Sequence, residues 1–281
     1  MASSRAVGAL AGAGAALAAW GLYESQWVQG RELEIGVPGL PAALDGLSVL
    51  HLSDFHAGTP SLNVRAMRKA AALGAAWRPD LVALTGDILS HGRARHAVVG
   101  ALEELEPPLG IFAVLGNHDV GDTNDPFSRG IVIEDWGSAP VTVLRDEAAV
   151  VESGGHEIEI AGVDPELFAA RRNRPAQELF SRPGALRILL SHFPDVPAEM
   201  PPGTCALALC GHLHGGQICL PTPRGKVRLS HRSYRYDEGV YEDPETTVVV
   251  SRGLGTTLVP FRFMARPEVC LLRLRPRPQP R

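Results

Sequence analysis

The feature that most constrains this chain is a repeated grammar, in which a short apolar run ends in a turn of Asp, Asn or His: "LSDFH", "LTGD", "LGNHD", "LLSHFP" and "LCGHLHGG". Such runs, rich in Leu, Val and Ile and separated by amphipathic stretches, predict β-α-β units around a largely buried parallel sheet. The strand "LSVLHLSDFH" is followed by a helix over 61–77, the strand "DLVALTGD", a helix around 95–104 and the strand "GIFAVLGNHD". Three β-like runs between 141 and 161, divided by "RDE" and "SGGHE", read as an antiparallel meander. A helix around 166–180, the strands "ALRILLSHFP" and "CALALCGHLH", and terminal strands near 248–251 and 269–274 complete the order. An α/β fold with two sheets, each faced by helices, accounts for it.

Ligands of open α/β sheets bind beyond the carboxyl ends of the strands, so these tips are expected to converge in one crevice. They bring together Asp54, His56, Asp87, Asn117, His118, His192, His212 and His214. Carboxylate, amide and imidazole ligands in mixture suit Mn, Fe, Zn or Co. One tetrahedral ion takes three or four ligands, so this set is too large for a single metal. Two divalent ions about 3.5–4 Å apart, sharing one carboxylate, would use all of it. Any one of these residues is an ordinary turn residue, but five such strand ends together have no structural motive. Each unpaired polar group buried there would cost about 1–3 kcal/mol, which ligation avoids.

In "CGHLHGGQ", alternate residues of an extended segment share a face, so His212 and His214 look into the crevice while Leu213 turns to the core. His118 is not needed as a ligand and is free to donate a proton to the leaving oxygen or to stabilise the transition state. Asp119 beside it is expected to orient its imidazole. Ser53 and Ser191 lie in no G-x-S-x-G elbow and are each followed by a ligand-type residue, which argues against a covalent route.

With 281 residues, 45% of them hydrophobic, the chain can bury one large core or two small ones. Its net charge is -4 and its Lys and Arg form no block, so no nucleic-acid face is expected. Four cysteines without CxxC spacing read as free, buried thiols. His51 reads as a core residue, His91 as a loop residue, and His96, His156 and His231 as surface residues.

The ordered set D-x-H, GD, GNHD, a lone His after a strand, and GHxHGG resembles the calcineurin-like metallophosphoesterases over about residues 47–217. That resemblance implies a four-layer α/β/β/α sandwich. It implies that Asp54, His56, Asp87 and His214 hold one metal, and Asp87, Asn117, His192 and His212 the second. It gives the GNHD histidine, His118, the acid role reached above. Two ionised aspartates and a bridging hydroxide would leave the centre about one positive charge, favouring a phosphate anion. That bridging water, its pKa lowered toward about 7, would attack phosphorus in line. "VSRGLGTTLVPFRFMARPEVCLLRL" further resembles a bacterial branch with an amino-terminal membrane or export segment. The branch includes exported phosphodiesterases and a lipid A pathway enzyme that cleaves UDP-diacylglucosamine.

The expected function is a dinuclear phosphohydrolase acting on a phosphodiester, phosphomonoester or pyrophosphate bond. The alternatives are a UDP-diacylglucosamine pyrophosphatase, whose substrate is lipid-linked, and a non-catalytic metal-binding scaffold. A scaffold would be expected to lose His118 or the bridging ligand first. Arg252 and Arg262, in the glycine-rich carboxyl region, are candidate contacts to phosphate. After GD this chain has "ILSHG", where many relatives carry a further polar residue.

Residues 6–23, "AVGALAGAGAALAAWGLY", carry no charge and approach the roughly 20 residues that cross a bilayer. Trp20, Tyr23 and Trp27 would form an interfacial belt. A single-span anchor within 1–28 is the expectation, against a signal peptide cleaved near 16–18 or an internally packed soluble helix. Arg5 precedes the segment while Glu24 and Arg31 follow it, which points to an exported domain. The unpaired cysteines lean the other way. A linker over 29–46, a phosphoesterase domain over 47–275 and a disordered tail over 276–281 follow, with "RLRPRPQPR" fraying into solvent.

Overall fold

The architecture was obtained as a computed structural model, which describes residues 2–170, 175–223, 225–229 and 234–277, with side chains from residue 7 onward; His231 lies outside them. A long helix α1 (Ala2–Glu24) leads to β1 (Gln29–Pro38) and β2 (Ser48–Leu52). Then come α2 (Asn63–Trp77), β3 (Leu81–Thr85), α3 (Arg95–Glu103), β4 (Ile111–Val114) and β5 (Val141–Val143). The second half contains β6 (Glu147–Ser153), β7 (His156–Gly162), α4 (Pro165–Ala169), β8 (Leu186–Ser191), α5 (Asp195–Glu199) and β9 (Leu207–Cys210). It closes with β10 (Cys219–Thr222), β11 (Gly225–Arg228), β12 (Gly239–Glu242), β13 (Thr247–Val250) and β14 (Glu268–Arg277).

One six-stranded sheet runs β1-β14-β2-β3-β4-β5, the other β12-β13-β9-β8-β7-β6. Residues alternate between the faces of each strand, and in β2, β3, β4, β9 and β13 both faces are buried. Leu50, Leu52, Val82 and Leu84 face Met67 and Ala70 of α2 and Val98 and Leu102 of α3. Val49, Leu81 and Ala83 pack instead against Ile160, Ile188, Leu190 and Leu207 of the opposite sheet. The outer face of the second sheet, with Leu189, Ala208 and Val248, meets Phe180 and Val196 of α5. The result is the expected α/β/β/α sandwich, with β2-β3-β4 and β7-β8-β9 as parallel cores.

Several local expectations change. Residues 29–46, read as a linker, hold strand β1, which pairs in parallel with β14 along its whole length. The basic tail does not fray at Arg273: β14 continues to Arg277, where Arg273 and Arg275 pair with Glu32 and Glu34. Residues 278–281 lie outside the described residues. The three runs between 141 and 161 do not form one meander. The first becomes β5 beside β4 in the first sheet, and only β6 and β7 form a hairpin. Of the helix expected over 166–180, the described residues show a short α4, capped by Asp164 at Glu166 N and Leu167 N, and a 3-10 turn at Ala176–Leu179; residues 171–174 lie outside them.

The amino-terminal segment is helical, yet no helix among the described residues is long and apolar enough to cross a membrane. The single-span anchor therefore finds no support. Ala and Gly make up most of residues 6–23, and small side chains carry little transfer free energy. The helix is not packed internally either: Val7, Leu10 and Leu17 are exposed, and only its carboxyl end is anchored to the body.

Candidate metal centre

The tips of β2, β3, β4, β8 and β9 meet above the carboxyl edge of the two sheets. Asp54, His56, Asp87, His212 and His214 all have positive φ, from 44° to 77°, and they are half of the ten non-glycine residues in that region of backbone space among the described residues. Such conformations are costly and persist where a site demands them. The glycines between ligands are explained by close approach. A Cβ on Gly116 would fall 2.1 Å from Asp87 Oδ1, and one on Gly211 would fall 2.0 Å from Ser53 Oγ and 2.6 Å from Asp54 Oδ2. A Cβ on Gly116 would also fall 2.3 Å from Asp87 N, so Gly116→Ala is expected to push the turn that carries Asp87 aside, lowering kcat/KM by about 10²-fold or more, as misplacement by an ångström does, with some loss of stability. Steady-state kinetics with circular dichroism checks this.

Asp54, His56, Asp87 and His214 are buried, and their ligand atoms all lie within 4.8 Å of one another. His56 Nε2 is 3.0 Å from His214 Nε2 and 3.3 Å from Asp87 Oδ2, and His214 Nε2 is 3.4 Å from Asp54 Oδ1. A second group closes on the other side of Asp87. His192 Nε2 is 3.3 Å from Asp87 Oδ2, 3.0 Å from Asn117 Oδ1 and 3.1 Å from His212 Nδ1. All seven ligand-type residues expected from the sequence are thus brought together.

The outer atoms show why the inner ones face each other. His192 Nδ1 bonds to Thr85 O at 2.9 Å, His56 Nδ1 to Ser90 Oγ at 3.2 Å and His214 Nδ1 to Gly255 O at 3.3 Å. With the outer nitrogen donating, each Nε2 keeps a lone pair for the cluster, which is how metal-binding histidines are oriented. Asn117 donates from Nδ2 to Asp122 O, so its oxygen is the end turned to His192. Carboxylates, imidazoles and an amide oxygen converging in this way fit a divalent cation.

Electrostatics agree with that fit. Burial pushes His56 down to about 3 against the pull of Asp87, and burial with His56 beside it holds His214 well below its ordinary value. Both imidazoles are therefore neutral and available as ligands. Burial works to raise Asp87, but His192 and His56 outweigh it and keep the carboxylate ionised. Burial raises Asp54 to about 6. His192 goes the other way: burial opposes its charge, yet Asp87 and Asp54 lift it to about 9. A cation between these groups would take the place of that proton.

A sequence profile of the calcineurin-like phosphoesterases matches residues 47–216. The chain belongs to that family. This phosphoesterase is 30% identical over 252 residues to the uncharacterized metallophosphoesterase YkuE of Bacillus subtilis, covering 84% of this chain and 82% of that protein. It is 31% identical over 233 residues to phosphodiesterase YaeI of Escherichia coli, covering 80% and 81%. Over 294 residues it is 26% identical to the UDP-2,3-diacylglucosamine pyrophosphatase LpxG of Chlamydia trachomatis, covering 86% and 87%. Family and cluster together make the protein a phosphate-ester hydrolase with a metal site.

The phosphoesterase site also departs from expectation. Asp119 does not orient His118. Its carboxylate accepts from Ile88 N, Leu89 N and Gly116 N at 2.8–2.9 Å, so it caps the GD turn that carries Asp87. Burial, with Asp87 nearby, raises it to about 7. His118 is instead held through Nε2 by Thr123 Oγ1 at 3.1 Å, while its Nδ1 is buried without a hydrogen-bond partner. Thr123 was not legible in the sequence, because it reaches His118 from a loop without regular structure. Ser53 Oγ donates to Asp54 Oδ2 at 2.6 Å and Ser191 Oγ to Phe193 O, and neither lines the cleft over the cluster. Over the cluster lies a cleft of about 270 Å³, lined by Asn117, His118, Thr123, Asp125, His212 and Leu258 among others. A wider groove of about 740 Å³ beside Leu22, Leu62 and Pro260 contains no His, Asp or Glu and is not the site.

Neither arginine expected at the substrate lines that cleft. Arg262 is fully buried among backbone carbonyls. Arg252 is tied by Nε and Nη2 to buried Glu268 at 2.9 and 2.6 Å and to Gln29, and Glu268 also takes Arg31. Burial works to raise the Glu268 carboxyl, but Arg252 beside it holds it below its ordinary 4.5. A depressed carboxyl stabilises the fold above its unfolded pKa and stops doing so as pH falls through the folded one. Glu268→Ala is expected to cost about 1.5–3 kcal/mol at neutral pH, since it removes charge-assisted hydrogen bonds from a half-buried guanidinium. The difference from wild type should shrink in acid below the ordinary carboxyl range. Denaturant melts at pH 7 and below pH 4 check both.

Proposed function

We propose that this phosphoesterase is a dinuclear metal-dependent hydrolase of phosphodiesters. The carrying observation is Asp87 Oδ2, which lies 3.3 Å from both His56 Nε2 and His192 Nε2 and so sits between two ligand groups. Asp54, His56, Asp87 and His214 would hold one divalent ion, and Asp87, Asn117, His192 and His212 the other. Such a pair supplies Lewis acidity toward phosphate oxygens and a nucleophile usable at neutral pH. The chain does the rest. His118 stands at the cleft wall with one nitrogen fixed by Thr123, placed to give a proton to the leaving oxygen. Asp119 fixes the turn that carries Asp87, and the burial of the cluster limits water to the cleft side.

The diester preference rests on similarity to phosphodiesterase YaeI. A second reading, a UDP-2,3-diacylglucosamine pyrophosphatase, is favoured by the similarity to LpxG and by the exposed Leu258 and Val259 at and beside the cleft. The test is hydrolysis of bis(p-nitrophenyl) phosphate, p-nitrophenyl phosphate and UDP-2,3-diacylglucosamine by protein reconstituted with Mn or Zn. Turnover of the simple diester above the others supports the first reading. Turnover of the nucleotide lipid alone supports the second, and no turnover of any sinks both.

We further propose that α1 attaches the hydrolase to a bilayer surface. Exposed Leu10, Leu17, Trp20 and Tyr23 support attachment, as do Arg65, Arg68 and Lys69 on the exposed face of α2, whose sequence has no acid. Sedimentation with phosphatidylglycerol vesicles, lost when Leu10, Leu17 and Trp20 become Ser, would support attachment; protein that stays in the supernatant from the start would contradict it.

A further inference from the structure

We propose that Arg262 is a positioning residue that fixes the metal ligand His214 and couples it to the carboxyl end of α1. The inference rests on the reading of His214 as a ligand. Arg262 is among the largest fully buried side chains, and its guanidinium gathers one piece of backbone after another. Nε and Nη2 donate to Gly255 O at 3.0 and 2.5 Å. Nη1 donates to Arg252 O at 2.9 Å, Ala265 O at 2.8 Å and His214 O at 3.2 Å. The loop from 252 to 265 is thereby folded around one cation and closed onto the turn that carries His214.

The carbonyl that takes two of these bonds is the one that orients the imidazole. His214 Nδ1 lies 3.3 Å from Gly255 O, which sets the tautomer with Nε2 open toward Asp54 and His56. Arg262 thus acts on the ligand through Gly255 and from directly beside it, its Nη2 lying 3.4 Å from His214 Nδ1, as an outer partner of the kind that tunes metal affinity. Lysine could not replace it, since a point charge lacks the fork of donors that reaches several carbonyls at once.

The same stretch is bolted to α1. Arg262 N donates to Gly21 O at 3.1 Å, and Ala265 N donates to Glu24 Oε1 at 3.0 Å, with Glu24 buried. Gly21 allows Phe263 to pack on the helix, for a Cβ there would sit 2.7 Å from its ring. Arg266 stacks on Trp27 with its guanidinium carbon 3.4 Å from the ring centre. The end of the amino-terminal helix is therefore one wall of the support behind His214 and more than a tether.

The test is calorimetric titration of metal-free, full-length protein with Zn²⁺, in wild type, His214→Ala, Arg262→Gln, Arg262→Lys and Glu24→Gln. His214→Ala identifies which of two binding events belongs to that ligand. Both Arg262 variants are expected to weaken that event by about 10–100-fold and leave the other unchanged, and Glu24→Gln to weaken it several-fold. Unchanged binding in folded Arg262→Gln would overturn the proposal, as would equal loss of both events. If the Arg262 variants do not fold, Glu24→Gln decides: no change in the His214 event refutes the coupling. Wild-type protein with a single binding event would instead refute the dinuclear reading.

Discussion

Asp87→Asn is expected to reduce hydrolysis of a simple phosphodiester by at least about 10³-fold, the scale seen when a residue that organises a whole site is removed. Asparagine nearly matches aspartate in shape, so Gly116 still clears it and its Oδ1 can still accept from His118 N, a bond of 2.8 Å in the native protein. What disappears is the charge between His56 and His192, each 3.3 Å away. The change is asymmetric in its consequences: a core substitution would lower the melting temperature, whereas this one removes metal. Elemental analysis of the purified variant should find fewer than two ions per chain, with a far-ultraviolet spectrum like wild type. Near-normal activity with two ions retained would show that Asp87 does not bridge.

His118→Gln is expected to lower kcat by about 10²–10⁴-fold, the usual worth of a placed general acid, with little change in KM. Metal content should stay at the wild-type level, because His118 Nε2 is engaged by Thr123 Oγ1 and not by any of the seven ligand-type residues. That contrast with Asp87→Asn separates proton transfer from metal binding. The loss should also depend on the leaving group. A nitrophenolate leaves without a proton and should be affected least, while an aliphatic alkoxide needs one and should be affected most. Thr123→Val, which removes the partner of His118 Nε2, should move activity the same way by a smaller factor. Equal losses across leaving groups would exclude the acid role.

The strands, the site and its supporting partners were legible to different degrees, for a physical reason. Strands buried on both faces carry continuous apolar runs, so β2, β3, β4, β8 and β9 announced themselves, and their polar ends marked the crevice. The ligand residues were legible because glycine at 116 and 211 and imidazole at 212 and 214 serve no packing purpose. Partners set by tertiary contact were not. Asp119 follows His118 in sequence, yet backbone N–H groups at 88 and 89 compete for its carboxylate and win. Arg262 read as a candidate contact to phosphate, because nothing local reveals that several carbonyls will surround it. The β1–β14 pairing did leave a trace. Glu32 and Glu34 alternate with Leu33 just as Arg273 and Arg275 alternate with Leu274, and those charges meet across the ladder.

The central claim is that Asp87 joins two metal sites. Its most direct measurement is an anomalous-scattering crystal structure of the Mn²⁺-loaded protein. The expected map has two peaks about 3.5–4 Å apart, one beside His56 and His214, the other beside Asn117, His192 and His212, with Asp87 between them. A single peak at full occupancy, or two that do not share Asp87, would contradict the account.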